Sequence, residues 1–356
     1  MKRMRKAVVL LSIFAIVIWT VFFYLAPKAL APVAMATFYQ AETTVTEMAQ
    51  TAVPAKTVET TFTFAGDMMF DRYVNHTFKN IGLDHIFDKL DKTLFSNSDI
   101  RFANLEGPIS ATAIDDDYPS RTLVFDMPPA TIAALQSLNL NGVSLANNHT
   151  LNAGASGFAT TQQLLNSAGI KYAGSQNGFD AGSIIEYDTA IPVSIICVDY
   201  LAYSNNDKIS AAIQAEKTKG EFVIIFPHWG TEYSLTHTAT QETAAKKWID
   251  AGADLVIGSH PHVVEDIDIY KNKPIIYSLG NFVFDQTFSA DTQQGLIVSG
   301  KITAEKLELT IHPVQSIRLY PQLATGTLKN AMMTRILSSP NLASLIKSDD
   351  TISVER

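Results

Sequence analysis

Phe222-Val-Ile-Ile-Phe226-Pro-His-Trp-Gly230 is an apolar, β-branched and aromatic run that breaks off in a proline, a histidine and a glycine. Such a run, bounded by turn formers, reads as a strand buried on both faces, and the polar group after it marks the strand's carboxyl end. The same grammar recurs along the chain. Thr61-Phe-Thr-Phe-Ala65 is followed by Gly66-Asp67, and Gly142-Val-Ser-Leu-Ala146 by Asn147-Asn148-His149. Leu255-Val-Ile257 leads into Gly258-Ser-His260-Pro-His262, and Pro274-Ile-Ile-Tyr-Ser278 into Leu279-Gly-Asn281. Another apolar run, Val193-Ser-Ile-Ile-Cys-Val198, completes the set. Helical patterns lie between these strands. Residues 158–168 carry apolar positions at helical spacing and stop at Gly169. A second helix begins with the capping box Thr238-x-x-Gln241, aligns Ala244, Ala245, Trp248 and Ile249 on one face, and stops near Gly252. Strands alternating with helices imply an α/β fold. Residues 295–302 and 307–311 read as a hairpin without a helix, so a mixed sheet or two sheets are expected, and the stretch after Tyr320 is weakly patterned.

In open α/β sheets ligands bind beyond the carboxyl ends of strands, so the five polar clusters should converge on one crevice. The chain has eight histidines, and His149, His228, His260 and His262 all occupy such exits. Asp67 adds a carboxylate, and Glu106, just past the apolar segment of residues 100–103, adds another. Imidazoles, carboxylates and an amide oxygen, without a thiolate, make the donor set of a divalent or transition-metal site. In His260-Pro261-His262 a tight turn could aim each histidine at a different one of two adjacent metals, which would activate a bridging water or polarise a substrate oxygen. His76, His85, His237 and His312 lack this placement and are expected at the surface or in packing; the Asp115-Asp-Asp117 run reads as a solvated loop.

The apolar fraction of 47% is ordinary for a globular chain of 356 residues, and 17% charged residues is low. The 27 basic and 35 acidic residues give a net charge of −8. Without Lys2, Arg3, Arg5 and Lys6 the remainder stands at −12, the reverse of a nucleic-acid binder. The single cysteine, Cys197, allows no intrachain disulfide and reads as a core residue. Residues 7–27 form an apolar stretch of about 21 residues, enough to span a bilayer. With the basic start before it, the positive-inside rule keeps the N-terminus cytoplasmic and sends the rest across. Ala29-Leu-Ala31 and Ala34-Met-Ala36 offer the alternative of a cleaved signal and a secreted product. The organisation expected is a basic start and anchor over residues 1–36, a Thr- and Ala-rich linker over 37–60, the folded domain over 61–320 and a tail over 321–356.

Six motifs follow one another along the chain: Gly66-Asp67-Met-Met, Asn104-Leu-Glu106-Gly-Pro108, Ala146-Asn-Asn-His149, His228-Trp-Gly230 with Glu232-Tyr233, Gly258-Ser-His-Pro-His262, and Ser278-Leu-Gly-Asn-Phe282 with Asp285. In this order and spacing they look like the CapA family of poly-γ-glutamate capsule biosynthesis proteins, a divergent branch of the calcineurin-like metallophosphoesterases. The resemblance implies the calcineurin-like fold, mixed β-sheets sandwiched by helices, after the membrane helix. It further implies that Asp67, Glu106, Asn148, His228, His260 and His262 bind one or two divalent ions (Mn, Fe or Zn), Glu106 bridging, and that His149 donates the proton to the leaving group. Asn147, Asn152, Trp229, Glu232 and Asn281 would support them. Three positions depart from the pattern: Met69 where metallophosphoesterases have a histidine ligand, Asn152 where the family usually has aspartate, and Glu265 where glutamine is frequent.

The function expected is that of a membrane-anchored, extracytoplasmic, metal-dependent hydrolase of capsule or envelope polymer assembly. Its partners would be an anionic polymer or phosphoester substrate and membrane proteins of capsule synthesis. A non-catalytic polymer-binding or export component, and a phosphodiesterase with a small soluble substrate, are the alternatives.

Overall fold

In β1 (Thr60–Met68), Phe62 and Phe64 turn to one face and Thr63 and Ala65 to the other, and all four are buried. A strand covered on both sides needs a layer above and a layer below it. The computed structural model, which describes residues 58–110, 123–347 and 350–356, supplies both. After β1 come β2 (Ile100–Leu105), β3 (Gly142–Ser144), β4 (Lys171–Ala173), β5 (Ile184–Tyr187), β6 (Val193–Asp199), β7 (Phe222–His228) and β8 (Leu255–Ile257). They are followed by β9 (Ile267–Tyr270), β10 (Lys273–Ile276), β11 (Asn281–Val283), β12 (Gln294–Ile302), β13 (Lys306–Ile317), β14 (Tyr320–Leu323), β15 (Ile346–Lys347) and β16 (Thr351–Glu355).

Two sheets result. The larger runs β15-β16-β13-β12-β1-β2-β3-β4, with β11 beside β1 and β14 beside β13. Its β1 to β4 are parallel, whereas β12 and β13 form the antiparallel hairpin read from the sequence. The smaller runs β5-β6-β7-β8-β10-β9, parallel from β6 to β10 and antiparallel at both edges. Between the sheets lies one core, where Phe64 and Phe102 meet Phe226 with ring centroids 5.7 and 5.3 Å apart. Burying each such ring fully is worth about 2 kcal/mol, so these three are among the contacts that hold the sheets face to face. Cys197 lies in this core, where burial pushes its thiol up to about 12.

Helices cover both outer faces. On the larger sheet sit α1 (Arg72–Phe78), α2 (Thr93–Ser96), α3 (Thr131–Ser137) and α4 (Gly154–Ser167), burying Val74, Phe95, Leu135 and Leu165. On the smaller sit α5 (Asn206–Lys219) and α6 (Ala239–Asp250), burying Ile209, Ile213, Ala245 and Trp248. The capping box of α6 forms as read: Gln241 N donates to Thr238 Oγ1 at 3.2 Å and Thr238 N to Gln241 Oε1 at 2.7 Å. The architecture is thus helix, sheet, sheet, helix. The weakly patterned stretch after Tyr320 adds β14, α7 (Gly326–Ile336), β15 and β16, and Ile352 and Val354 of β16 alternate into the inter-sheet core. Among the described residues no helix is long and apolar enough to cross a membrane. The apolar stretch 7–27, the two cleavage motifs, the linker up to residue 57 and Asp115-Asp-Asp117 lie outside the described residues.

Candidate metal centre

The carboxyl ends of β1, β2 and β3 in one sheet and of β7 and β8 in the other meet at a common point. Glycines make the approach possible on both sides. A Cβ on Gly66 would stand 1.9 Å from the Gly280 carbonyl oxygen, and one on Gly258 only 2.1 Å from that of Tyr277. The register of β1 shifts between Ala65 and Asp67, and this irregularity re-aims Asp67 past the sheet edge.

From the larger sheet come Asp67, Asn104, Glu106 and Asn147, none of them exposed at all. Asn104 is the hub. Its Nδ2 donates to Asp67 Oδ1 at 2.8 Å and to Glu106 Oε2 at 3.1 Å, while its Oδ1 accepts from Asn147 Nδ2 at 3.1 Å. The sequence reading passed over Asn104 as a ligand support. The signal was present, because Asn104 and Glu106 stand two apart at a strand end and therefore share a face. Asn147 also donates to Leu105 O and, through its Oδ1, receives the backbone N–H of His149.

From the smaller sheet come His228, His260 and His262. Two atoms of His262 face carboxylates: Nδ1 lies 3.5 Å from Asp67 Oδ2 and Nε2 3.5 Å from Glu106 Oε1. Asn281 Nδ2 donates to Thr292 O, so its Oδ1 is the atom 3.0 Å from His262 Nδ1, which therefore carries the proton. Nε2 is left facing Glu106. His260 N donates to Asp67 Oδ2 at 3.2 Å, and the His260 ring lies 4.7 Å from that of His228. His228 Nε2 lies 3.0 Å from Asn148 Oδ1, and its Nδ1 3.1 Å from Ser259 Oγ. His149 completes the group, with Nε2 4.0 Å from Glu106 Oε1 and its ring 4.1 Å from that of Phe125. Because Asn152 Oδ1 accepts the Phe125 N–H at 2.7 Å, His149 Nδ1, 3.0 Å away, is the donor to it.

All six expected ligands and His149 are thus brought together, and Asn147, Asn152 and Asn281 brace them. Glu232 does more than was expected of it. Its carboxylate, with His260 and His262, forms one potential ligand group, and Asp67, Glu106 and His262 form another, the ligand atoms of each lying within 4.8 Å of one another. Trp229 is a correction. It follows His228 by one residue and so faces the other way, into the helix-covered core, stacked on Trp248 at 5.2 Å with Nε1 donating to Tyr277 O. Met69 is fully buried and its sulfur accepts the Asp71 N–H. The remaining histidines stay apart: His76 stacks on Tyr73, His85 pairs with Asp88, His237 with Asp266, and His312 with Ser299.

The electrostatics suit a cation. Burial lowers the pKa of His149, holds that of His228 well below its ordinary value and takes that of His260 down to about 4, so these imidazoles stay neutral and can ligate. For His262 burial also pulls downward, but the carboxylates of Glu106 and Asp67 and the Asn281 amide outweigh it and lift the pKa to about 9. Burial drives the Glu106 carboxyl up, with His262 opposing. A divalent ion among these three groups would supply the positive charge that the two carboxylates favour. Glu106 Oε1 and His260 Nδ1 are buried without a hydrogen-bond partner, which a metal ligand would not lack. The residues present therefore fit a divalent ion.

Three of the ten non-glycine residues with positive φ among the described residues lie here. His260 (φ 100°), His262 (φ 60°) and Tyr233 (φ 65°) all have left-handed backbones without being glycine, and Tyr233 N donates to Pro261 O at 2.8 Å, tying them together. Such residues persist where surrounding structure over-determines them.

Comparison with known proteins assigns the family. The family described as bacterial capsule synthesis protein PGA_cap matches residues 61–286, which include every residue of the centre. The chain is 30% identical over 313 residues to the capsule biosynthesis protein CapA of Bacillus anthracis, covering 77% of this chain and 75% of that one. It is 29% identical over 255 residues to the PGA biosynthesis protein CapA of Bacillus subtilis, covering 66% of each. To a probable polyglutamine synthesis accessory protein of Mycobacterium tuberculosis it is 26% identical over 266 residues, covering 65% of this chain and 69% of that one. A strand-end centre inside the matched segment, together with a relative of this identity and extent, makes the chain a member of the PGA_cap family of bacterial capsule synthesis proteins.

Proposed function

We propose that the protein is a metal-dependent, metallophosphoesterase-like hydrolase that acts outside the cytoplasm on an envelope polymer of the poly-γ-glutamate type. The observation that carries this reading is the pair of ligand groups Asp67–Glu106–His262 and Glu232–His260–His262, which share His262 and leave the buried Glu106 Oε1 without a hydrogen bond. The four-layer architecture with ligands at strand ends supports the calcineurin-like fold, and the names of the relatives support the polymer. Residues 7–27 supply the anchor in this reading, which protection of the domain from protease added to intact cells would contradict.

A divalent ion (Mn, Fe or Zn), held by Asp67, Glu106, Asn148, His228, His260 and His262, with Glu232 at the exposed side, would supply positive charge to a substrate oxygen and an acidified water. The chain's own groups do the rest. His149 holds its Nδ1 proton on Asn152 and offers the Nε2 lone pair toward Glu106, so a proton is taken up or released at Nε2. Asn104 keeps the two carboxylates in place.

One observation favours a second reading, a non-catalytic polymer-binding component. Asn152 stabilises a protonated His149 less than a carboxylate would, and burial keeps that imidazole neutral, so it carries no ready proton near pH 7. The test is elemental analysis of the purified full-length protein with an activity screen on phosphodiesters and γ-glutamyl polymers, applied to the parent, His149→Ala and His260→Ala. The hydrolase should lose ~10²–10⁴ in rate with His149→Ala while keeping its metal. His260→Ala should lower both. A parent without turnover on any substrate, and His149→Ala restoring capsule to a deficient strain as well as the parent does, would establish the binding reading instead.

A further inference from the structure

Tyr233 and Phe288 form an exposed aromatic pair at the mouth of the centre. Phe288 is 66% exposed and Tyr233 44% exposed, and their rings meet edge to face at 5.2 Å. The Tyr233 ring also lies over His262, with centroids 6.2 Å apart and planes inclined by 30°. It is held there from three directions: the left-handed backbone at φ 65°, the hydrogen bond from its N–H to Pro261 O, and the 3.3 Å bond that its hydroxyl accepts from Gln286 Nε2. Gln286 in turn accepts from Asn281, the residue that fixes the His262 tautomer. A large aromatic ring kept in solvent by this much local structure is placed for contact, since burial would be the cheaper outcome.

We propose that Tyr233 and Phe288 are a platform on which an extended polyamide chain lies while it is presented to the centre. This inference rests on the polymer reading given above and names how the polymer is held. A chain of net charge −8, with Glu232 beside Tyr233, gives a polyanion no bulk attraction. The parts of a γ-glutamyl polymer that such a surface can hold are therefore the uncharged ones, the planar amides and methylenes, and aromatic faces and edges suit both. The platform selects for length: a chain has repeat units to lay across the rings beyond the one at the centre, and a dimer does not.

The experiment is calorimetric titration of the full-length protein with a long poly-γ-glutamate and with a γ-linked glutamate dimer, for the parent and for Phe288→Ala, Tyr233→Leu and Tyr233→Phe. Phe288→Ala and Tyr233→Leu should each weaken the long chain roughly three- to tenfold, the range of one aromatic contact, and leave the dimer unchanged. Metal content should stay constant, and Tyr233→Phe, which keeps the ring, should bind as the parent does. Loss of dimer and long chain alike, no change in either, or Tyr233→Phe failing as Tyr233→Leu does would overturn the platform. A parent that holds metal and cleaves a small phosphodiester but ignores the long chain overturns the platform and leaves the metal reading standing. Ring-dependent polymer binding without bound metal does the reverse.

Discussion

The larger sheet offers Asp67 and Asn104 from strands and Glu106 from the residue just after one, whereas the smaller sheet offers His260 and His262 from a turn whose backbone is left-handed at both residues. The carboxylate half is held by hydrogen bonds, with Asn104 bonded to both acids and to Asn147. The imidazole half is hydrogen-bonded too, but largely through the backbone of its strained turn: Tyr233 N donates to Pro261 O and His260 N to Asp67 Oδ2, while Asn281 Oδ1 accepts from His262 Nδ1. One half risks unpaired buried charge and the other stores conformational strain. The two should therefore fail in different ways when a single side chain is removed.

The largest effect is expected in the carboxylate half. Asn104→Leu removes both donors and leaves Asp67 and Glu106 in a site without solvent, so unfolding free energy should fall by about 3 kcal/mol or more. Denaturant titration reads this directly, and a loss under about 1 kcal/mol would mean that the hub carries little.

For the imidazole half the informative comparison is His260→Gly against His260→Ala. Both delete the ring, but only glycine adopts φ 100° without strain, so the glycine variant should be more stable by about 1 kcal/mol. Equal midpoints would show that the turn relaxes when the ring goes and that no strain is stored there.

The smallest effect is a pH dependence at the brace behind the same turn. His237 Nδ1 lies 2.9 Å from Asp266 Oδ2, just beyond the His260–His262 turn, and its ring stacks on Tyr277 at 3.8 Å. The hydrogen bond to Asp266 raises the His237 pKa above 6.5. Burial works to raise that of Asp266, but its bonds from His237 win and lower it below 3.8. The His237 contribution is therefore complete below pH 6.5 and disappears as pH rises through its elevated value. That of Asp266 is present above 3.8 and disappears as pH falls through its lowered value. His237→Gln should flatten the decline of stability on the alkaline side of 6.5, as thermal melts across pH would show; an unchanged slope would remove the brace from the account.

Much of this was legible in the sequence because strand periodicity and strand ends are local. The unbroken apolar runs of β6 and β7, the capping box of α6 and the position of each ligand after such a run need only neighbouring residues. What is not local was legible only through the rule that ligands gather at strand ends: Asp67 and His260 are 193 residues apart and meet as that rule expects, although no periodicity states which strands lie side by side. Trp229 was read with His228 because it adjoins it, although adjacency in a strand places a side chain on the opposite face. Asn104 was overlooked because a buried amide carries no charge or metal chemistry of its own until its neighbours are known. The β16 strand is short, and its alternation becomes meaningful only beside β13.

The direction of β1 has a consequence for reach. It enters the larger sheet at Thr60 and delivers Asp67 at its far end, a rise of about 23 Å at ~3.3 Å per residue. Whatever precedes Thr60 therefore joins the domain at the end of the sheet remote from the metal centre. In the anchored reading proposed above, a tether attached at that end would leave the centre on the domain's free side, and shortening it would leave the chemistry unaltered.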